Sequence, residues 1–293
     1  MDIRLGQYRV RKVVEIDNID HSPDELFANC PPDLMNRARE ELDPRVMSAD
    51  GRRLALSFHS FLLQTEGLNI IVDTCQGNHK PRHGFAAIGN QLQTDYLGEL
   101  RRLGLRREDI DVVFCTHLHY DHIGWNTMLE DGRWVPTFPR ARYLMNQRDY
   151  DHFSMMLKRN PNFAGMNFIE DSVTPVVAAG LAEFVDATEG FELRPGLRLE
   201  AAPGHTPGCT NLQLSSQGAR AVFCGDVVHH PVQLLTPELQ AFGDIDPALA
   251  RATRTRVIEQ CVEEAAVLLT GHFPAPTAAK VIRAGQSYNF QYA

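Results

Sequence analysis

Apolar residues gather into short runs bounded by turn residues, and the runs alternate between strand and helix spacing. Residues 54–63 and 68–74 are apolar runs joined at Glu66-Gly67, which predicts a hairpin. Over 91–103 the positions Leu92, Tyr96, Leu100 and Leu103 keep helical spacing, and Gly104 closes the helix. Residues 111–116 (DVVFCT) and 141–146 read as strands, and 147–158 as a helix. From about Leu181 onward the same alternation holds. Strands are expected at 197–202, 210–216, 219–224 and 267–270. Asp246-Pro247 supplies an N-cap and a first-turn proline for a helix running to about Ala266. That helix places Leu249, Val257, Cys261 and Ala265 on one side.

This alternation predicts an α/β architecture. Two stretches do not fit it. One is 21–46, with Pro23, Pro31, Pro32 and Pro44. The other is 151–180, with Met155, Met156, Leu157, Phe163, Met166 and Phe168. Both are apolar without a clear period. They read either as additions that cover a site or as plain packing segments. The expectation is one domain over 1–293, with an N-terminal extension of about 1–50 and a cleft-covering insertion of about 151–180. A chain of 293 residues is long enough to bury one sizeable core.

Composition narrows the partners. The net charge is −8, and Arg and Lys are scattered, so no basic face is offered to nucleic acid. The one dense basic run, Arg101, Arg102, Arg106 and Arg107, sits at a helix end and reads as a solvated face. None of the six cysteines forms a CxxC pair, and Cys75, Cys115 and Cys224 lie in or beside apolar strands. The charged N-terminus carries no apolar leader, and no stretch is long enough to span a membrane. A cytoplasmic location is the default expectation.

The chemistry concentrates in Thr116-His117-Leu118-His119-Tyr120-Asp121-His122, directly after a buried strand. Alternate residues of an extended segment point the same way, so His117 and His119 can grip one ion. Asp121 and His122 begin a turn and can face a second. Imidazole and carboxylate suit zinc and other borderline divalent ions. Three further ligand-type residues stand beside glycines at strand ends. These are His205 in PGHTPG, Asp226 in CGD and His272 in GH.

HLHYDH, GHTPG, CGD and the late Gly-His resemble, in order and spacing, the metallo-β-lactamase superfamily, over roughly 54–274. The resemblance implies an αβ/βα sandwich, two mixed sheets flanked by helices, with metals at the sheets' edges. It implies one metal on His117, His119 and His205, another on Asp121, His122 and His272, and Asp226 bridging them. Asp73, in IIVDT, matches a residue that orients the ligand loop. Zinc β-lactamases lack the bridging Asp, and flavodiiron proteins replace the second His of the motif with Glu. The remaining likeness is to the N-acyl-homoserine lactonase group and its organophosphate-hydrolysing relatives. Many lactonases there carry a carbonyl-contacting Tyr three residues after the bridging Asp; here that residue is His229.

The expected cofactors are two divalent ions, zinc first, with manganese, iron and cobalt open. Two such cations acidify a bridging water, whose hydroxide attacks a carbonyl or phosphoryl centre. Asp121 would pass on the proton. His229 is either an acid for the leaving group or a polar cleft residue. Three activities follow: an ester or lactone hydrolase, a phosphotriester or aryl-ester hydrolase, or a non-hydrolytic metal-binding or redox module. The expected partner is a small-molecule substrate walled by Tyr120, Ile123, Trp125 and Phe273, and a homodimer is left open.

Overall fold

A computed structural model of the chain describes residues 1–83, 89–161 and 167–293. Its strands are β1 (Asp2–Leu5), β2 (Tyr8–His21), β3 (Leu54–Thr65), β4 (Leu68–Val72), β5 (Val112–Phe114), β6 (Thr127–Glu130), β7 (Arg133–Pro136), β8 (Arg142–Asn146) and β9 (Ala182–Val185), then β10 (Phe191–Arg194), β11 (Leu197–Ala201), β12 (Thr210–Ser216), β13 (Ala219–Gly225), β14 (Val267–Thr270), β15 (Ala279–Ala284) and β16 (Ser287–Tyr292). The helices are α1 (Pro23–Leu26), α2 (Leu34–Glu41), α3 (Tyr96–Arg102), α4 (Tyr120–Ile123), α5 (Gln147–Arg159), α6 (Phe168–Ser172), α7 (Thr174–Ala178), α8 (Val232–Leu235) and α9 (Pro247–Glu263).

Two mixed sheets of seven strands result, in the orders β1-β2-β3-β4-β5-β8-β9 and β10-β11-β12-β13-β14-β15-β16. β4 and β5 pair in parallel, as do β13 and β14. The runs IIV and VVF are buried at every position, the pattern of strands covered on both faces. Between the sheets, Val10, Phe61, Phe114 and Leu144 meet Leu199, Leu212, Phe223 and Leu269. The Phe61 and Phe223 rings cross edge-on at 5.3 Å. A second apolar cluster packs α3, α5 and α6 on the first sheet, and a third packs α2, α8 and α9 on the second. The layers therefore run helix, sheet, sheet, helix, as the resemblance implied.

Several elements depart from the sequence expectations. Residues 1–21 are no extension: β2 pairs with β3 from Arg9↔Gln64 to His21↔Leu54. Only 22–50 lies outside the sheets, with its α2 packed on the outer face of the second. The C-terminal hairpin β15–β16 completes that second sheet. In α9 the buried stripe is Ala250, Thr253, Arg254, Val257, Ile258 and Cys261, while Leu249 is 41% exposed; the helix ends at Glu263, so Ala265 lies beyond it on the surface. A four-residue step overshoots the 3.6-residue turn, so the expected side drifts off the contact face. The Arg101–Arg107 run does face solvent, paired with Asp95, Glu99, Glu108 and Asp109. All six cysteines are free thiols. No helix among the described residues is long and apolar enough to cross a membrane.

The stretch 151–180 is divided. Phe163 and Met166 lie outside the described residues. Met155 is 49% exposed, whereas Phe168, Ile169, Val173 and Val176 are buried in the cluster under the first sheet. Short helices α6 and α7 seat those side chains in the core, where the sequence shows no period. Phe168→Ala should therefore destabilise the fold by about 3–5 kcal/mol, as core aromatic truncations do. Denaturant unfolding measures this; an unchanged midpoint would return Phe168 to the cleft wall.

Candidate metal centre

The C-terminal ends of β4, β5, β13 and β14 deliver Asp73, His117, Asp226 and His272 to one edge of the sandwich. After β5 the chain bends at Thr116-His117, is extended at His119, which has φ −70° and ψ 152°, and then turns into α4. This brings His117 and His119 into one group of ligand-type side chains and swings Asp121 and His122 into another. Gly225, at φ +49°, precedes Asp226; a Cβ there would lie 2.3 Å from Thr116 Oγ1. Only glycine lets β13 approach the ligand loop so closely.

The seven ligand-type residues converge in two groups. His119 Nδ1 lies 3.1 Å from His117 Nε2 and 2.9 Å from His205 Nε2. Asp226 Oδ2 stands 3.5 Å from His205 Nε2 and 3.9 Å from His117 Nε2. In the second group, His122 Nε2 and His272 Nε2 are 3.2 Å apart, and each is 3.2 Å from Asp226 Oδ1. Asp121 Oδ2 lies 3.6 Å from His272 Nε2 and 3.9 Å from His122 Nε2. Asp226 thus turns one oxygen to each group.

The outer nitrogens assign the tautomers. Thr116 Oγ1 donates to Asp73 Oδ2, so it accepts from His117 Nδ1 at 3.1 Å. His205 Nδ1 donates to Asp244 Oδ1 at 2.9 Å. His122 Nδ1 donates to Asp73 Oδ2 at 2.9 Å, and His272 Nδ1 to the Ser57 carbonyl at 3.2 Å. In the neutral rings the inner nitrogens then present lone pairs to one another, a cluster of acceptors that suits a cation. Asp226 Oδ1, buried among them, accepts no well-formed hydrogen bond. The donors therefore fit divalent ions.

The electrostatics agree. Burial holds His117 and His119 well below the usual histidine range, leaving them neutral. Burial also opposes charge on His122 and His272, but Asp226 and its neighbouring carboxylates outweigh it and raise both. Burial alone would raise Asp226, yet His122, His272 and His229 hold it well below the carboxylate range. The positive charge favoured on His122 and His272 stands where a divalent ion would supply it, while burial holds His229 below the usual histidine range.

Other residues support this centre without a local sequence signal. Asp244 also accepts from Ala241 N and from the buried Arg254 guanidinium. Glu15 on β2 accepts from Gln76 N, Gly77 N, Thr94 Oγ1 and Trp125 Nε1, tying the loop after β4 to the turn after α4. His229 sets Nε2 3.3 Å from Asp226 Oδ2, and its buried Nδ1 has no hydrogen-bond partner. The expected walls are a correction. Ile123 and Trp125 point into the core under the first sheet and Phe273 into that on the second. Neighbouring a ligand in sequence does not decide which way a side chain faces. The Phe153 ring instead meets His119 edge-on at 5.4 Å. Gly243 packs so near the centre that a Cβ there would lie 2.8 Å from His205 Cε1, and the adjacent Phe242 is 63% exposed.

The sequence profile of the Metallo-beta-lactamase superfamily matches residues 57–272. The chain belongs to this superfamily. As a superfamily member it is 25% identical over 235 residues to an N-acyl homoserine lactonase of a Bacillus species, covering 76% of this chain and 83% of that one. It is 24% identical over 190 residues to N-acyl homoserine lactonase AiiB of Agrobacterium fabrum, covering 55% and 65%. The solved structure of hydrolase AbOPH matches with a TM-score of 0.80 at 21% identity, over 100% of this chain and 96% of that one. AidC, a dizinc quorum-quenching lactonase in complex with a product, matches with a TM-score of 0.78 at 20% identity, over 100% and 97%. These structural matches share the metallo-β-lactamase fold with this chain.

Proposed function

We propose that this superfamily member hydrolyses an uncharged or weakly charged carboxylic ester or lactone at a binuclear metal centre. The observation that carries the reading is Asp226, which divides its oxygens between two ligand groups in a chain whose relatives are N-acyl homoserine lactonases. One ion would rest on His117, His119 and His205, the other on Asp121, His122 and His272, with Asp226 shared. Two divalent ions, zinc first for these donors, would supply Lewis acidity and acidified water.

The chain's own residues do the rest. Asp73 fixes His122 directly and His117 through Thr116, and Asp244 fixes His205. Asp121, partly buried, takes up the proton. His229 supplies a proton from Nε2 to the departing alkoxide. Phe242, 63% exposed beside Gly243, gives the cleft an apolar rim for the substrate's non-reacting part. The net charge of −8 disfavours polyanionic substrates at long range.

Metal analysis joined to a substrate panel tests this. Protein purified without chelator should carry nearly two equivalents, cleave lactones or carboxylic esters, and lose activity on chelation. One equivalent with full activity would defeat the binuclear centre. Turnover confined to phosphotriesters would assign the site to that chemistry. A loaded protein that hydrolyses nothing would be a non-hydrolytic metal module.

A further inference from the structure

Asp149 stands in the first turn of α5 and is fully buried. Its Oδ2 accepts from the Leu118 amide at 3.0 Å and the Thr206 hydroxyl at 2.8 Å. Its Oδ1 accepts from the Gly208 amide at 2.6 Å. Leu118 lies between His117 and His119, and Thr206 follows His205. One carboxylate therefore holds two loops that come from different sheets, the loop after β5 and the turn between β11 and β12. We propose that Asp149 is a positioning residue for the His117, His119 and His205 half of the metal centre. The inference rests on the metal-binding reading above.

Three features support it. First, all three hydrogen bonds run from neutral donors, so this buried negative charge is not balanced by a salt bridge through them; a nearby cation would offset its burial. Second, the two halves differ in charge. The second group has Asp121 of its own and shares Asp226, whereas the first has three imidazoles and only the shared carboxylate. Asp149 sets a carboxylate directly behind the first group's backbone. Third, the fit is close. A Cβ on Gly208 would lie 2.7 Å from both the amide nitrogen and Oδ1 of Asp149, so the approach requires glycine there. Four residues along the same helix, Phe153 rests on the His119 ring, which gives α5 a second hold on this half.

Asp149→Asn tests the idea with almost no change of shape. Each carboxylate oxygen faces a backbone N–H, so the amide nitrogen opposes a donor whichever way it turns. Holoenzyme is titrated with a chromogenic zinc chelator, and the release of each equivalent is followed. Wild type should give up two ions at high chelator. In Asp149→Asn one of the two should bind about 10–100-fold more weakly, the usual effect of a residue behind a ligand, and the other should be unchanged. In a His272→Ala background, which leaves only the first half, the substitution should weaken binding of the remaining ion by the same factor. Thr206→Val deletes a single bond and should shift the same equivalent in the same direction by less, which keeps the test open should Asp149→Asn fold poorly.

Unchanged affinity at both sites in both variants overturns the proposal. So does parallel loss of both ions together with a lowered melting temperature, the signature of a staple for the fold alone. A wild type that binds no ion sinks the metal-centre reading and this inference with it, whereas two ions in wild type and the same two affinities in the variants sinks only the role of Asp149.

Discussion

Replacing Asp226 with alanine should empty both halves of the metal centre at once. Asp226 is the one residue common to both ligand groups, its Oδ1 facing His122 and His272 and its Oδ2 facing His205 and His117. Removing it also takes from His272 a carboxylate oxygen that lies 3.2 Å from its Nε2. Metal content should fall from two equivalents toward none. Turnover should fall by about 10³-fold or more, beyond the roughly 10–100-fold expected of residues that only orient ligands. Elemental analysis and steady-state assays measure both. Two tightly held ions in Asp226→Ala would show that the groups do not share this ligand.

The second large effect is expected at His229. Acting as the acid for the leaving group, it should cost about 10²–10⁴-fold in kcat on replacement by alanine, for alkyl esters and lactones whose alkoxide leaves poorly. Nitrophenyl esters, whose leaving group departs without a proton, should lose far less. Equal losses for both classes would remove His229 from the chemistry and leave it a polar contact of Asp226.

Much of this site was legible in the chain because its ligands stand where local pattern can find them. HLHYDH follows a buried strand, and His205, Asp226 and His272 each sit beside a glycine at the end of an apolar run. What escaped notice acts over long separations or against composition. His205 meets Asp244 39 positions away, Leu118 meets Asp149 across 31, and His272 meets Ser57 across 215. No window of sequence contains both members of such a pair. Strand β2 was hidden by its charges: Val10 and Val13 fill the core, but Arg9, Arg11, Lys12, Glu15 and Asp17 make the run look like a solvated tail. Phe168 failed for the opposite reason, an apolar residue in a five-residue helix too short to show a period.

Each half of the metal centre draws on both sheets. His117 and His119 come from the loop after β5 and their companion His205 from the turn after β11; Asp121 and His122 come from α4 and their companion His272 from the end of β14. The site therefore cannot be inherited in pieces. A fragment ending before β11 keeps HLHYDH but neither His205, Asp226 nor His272, and one beginning after β9 keeps those three without the motif. Fission of such a chain would not leave two simpler one-metal enzymes, because the seam between the sheets is where either site exists. The seam must pass whole from parent to copy.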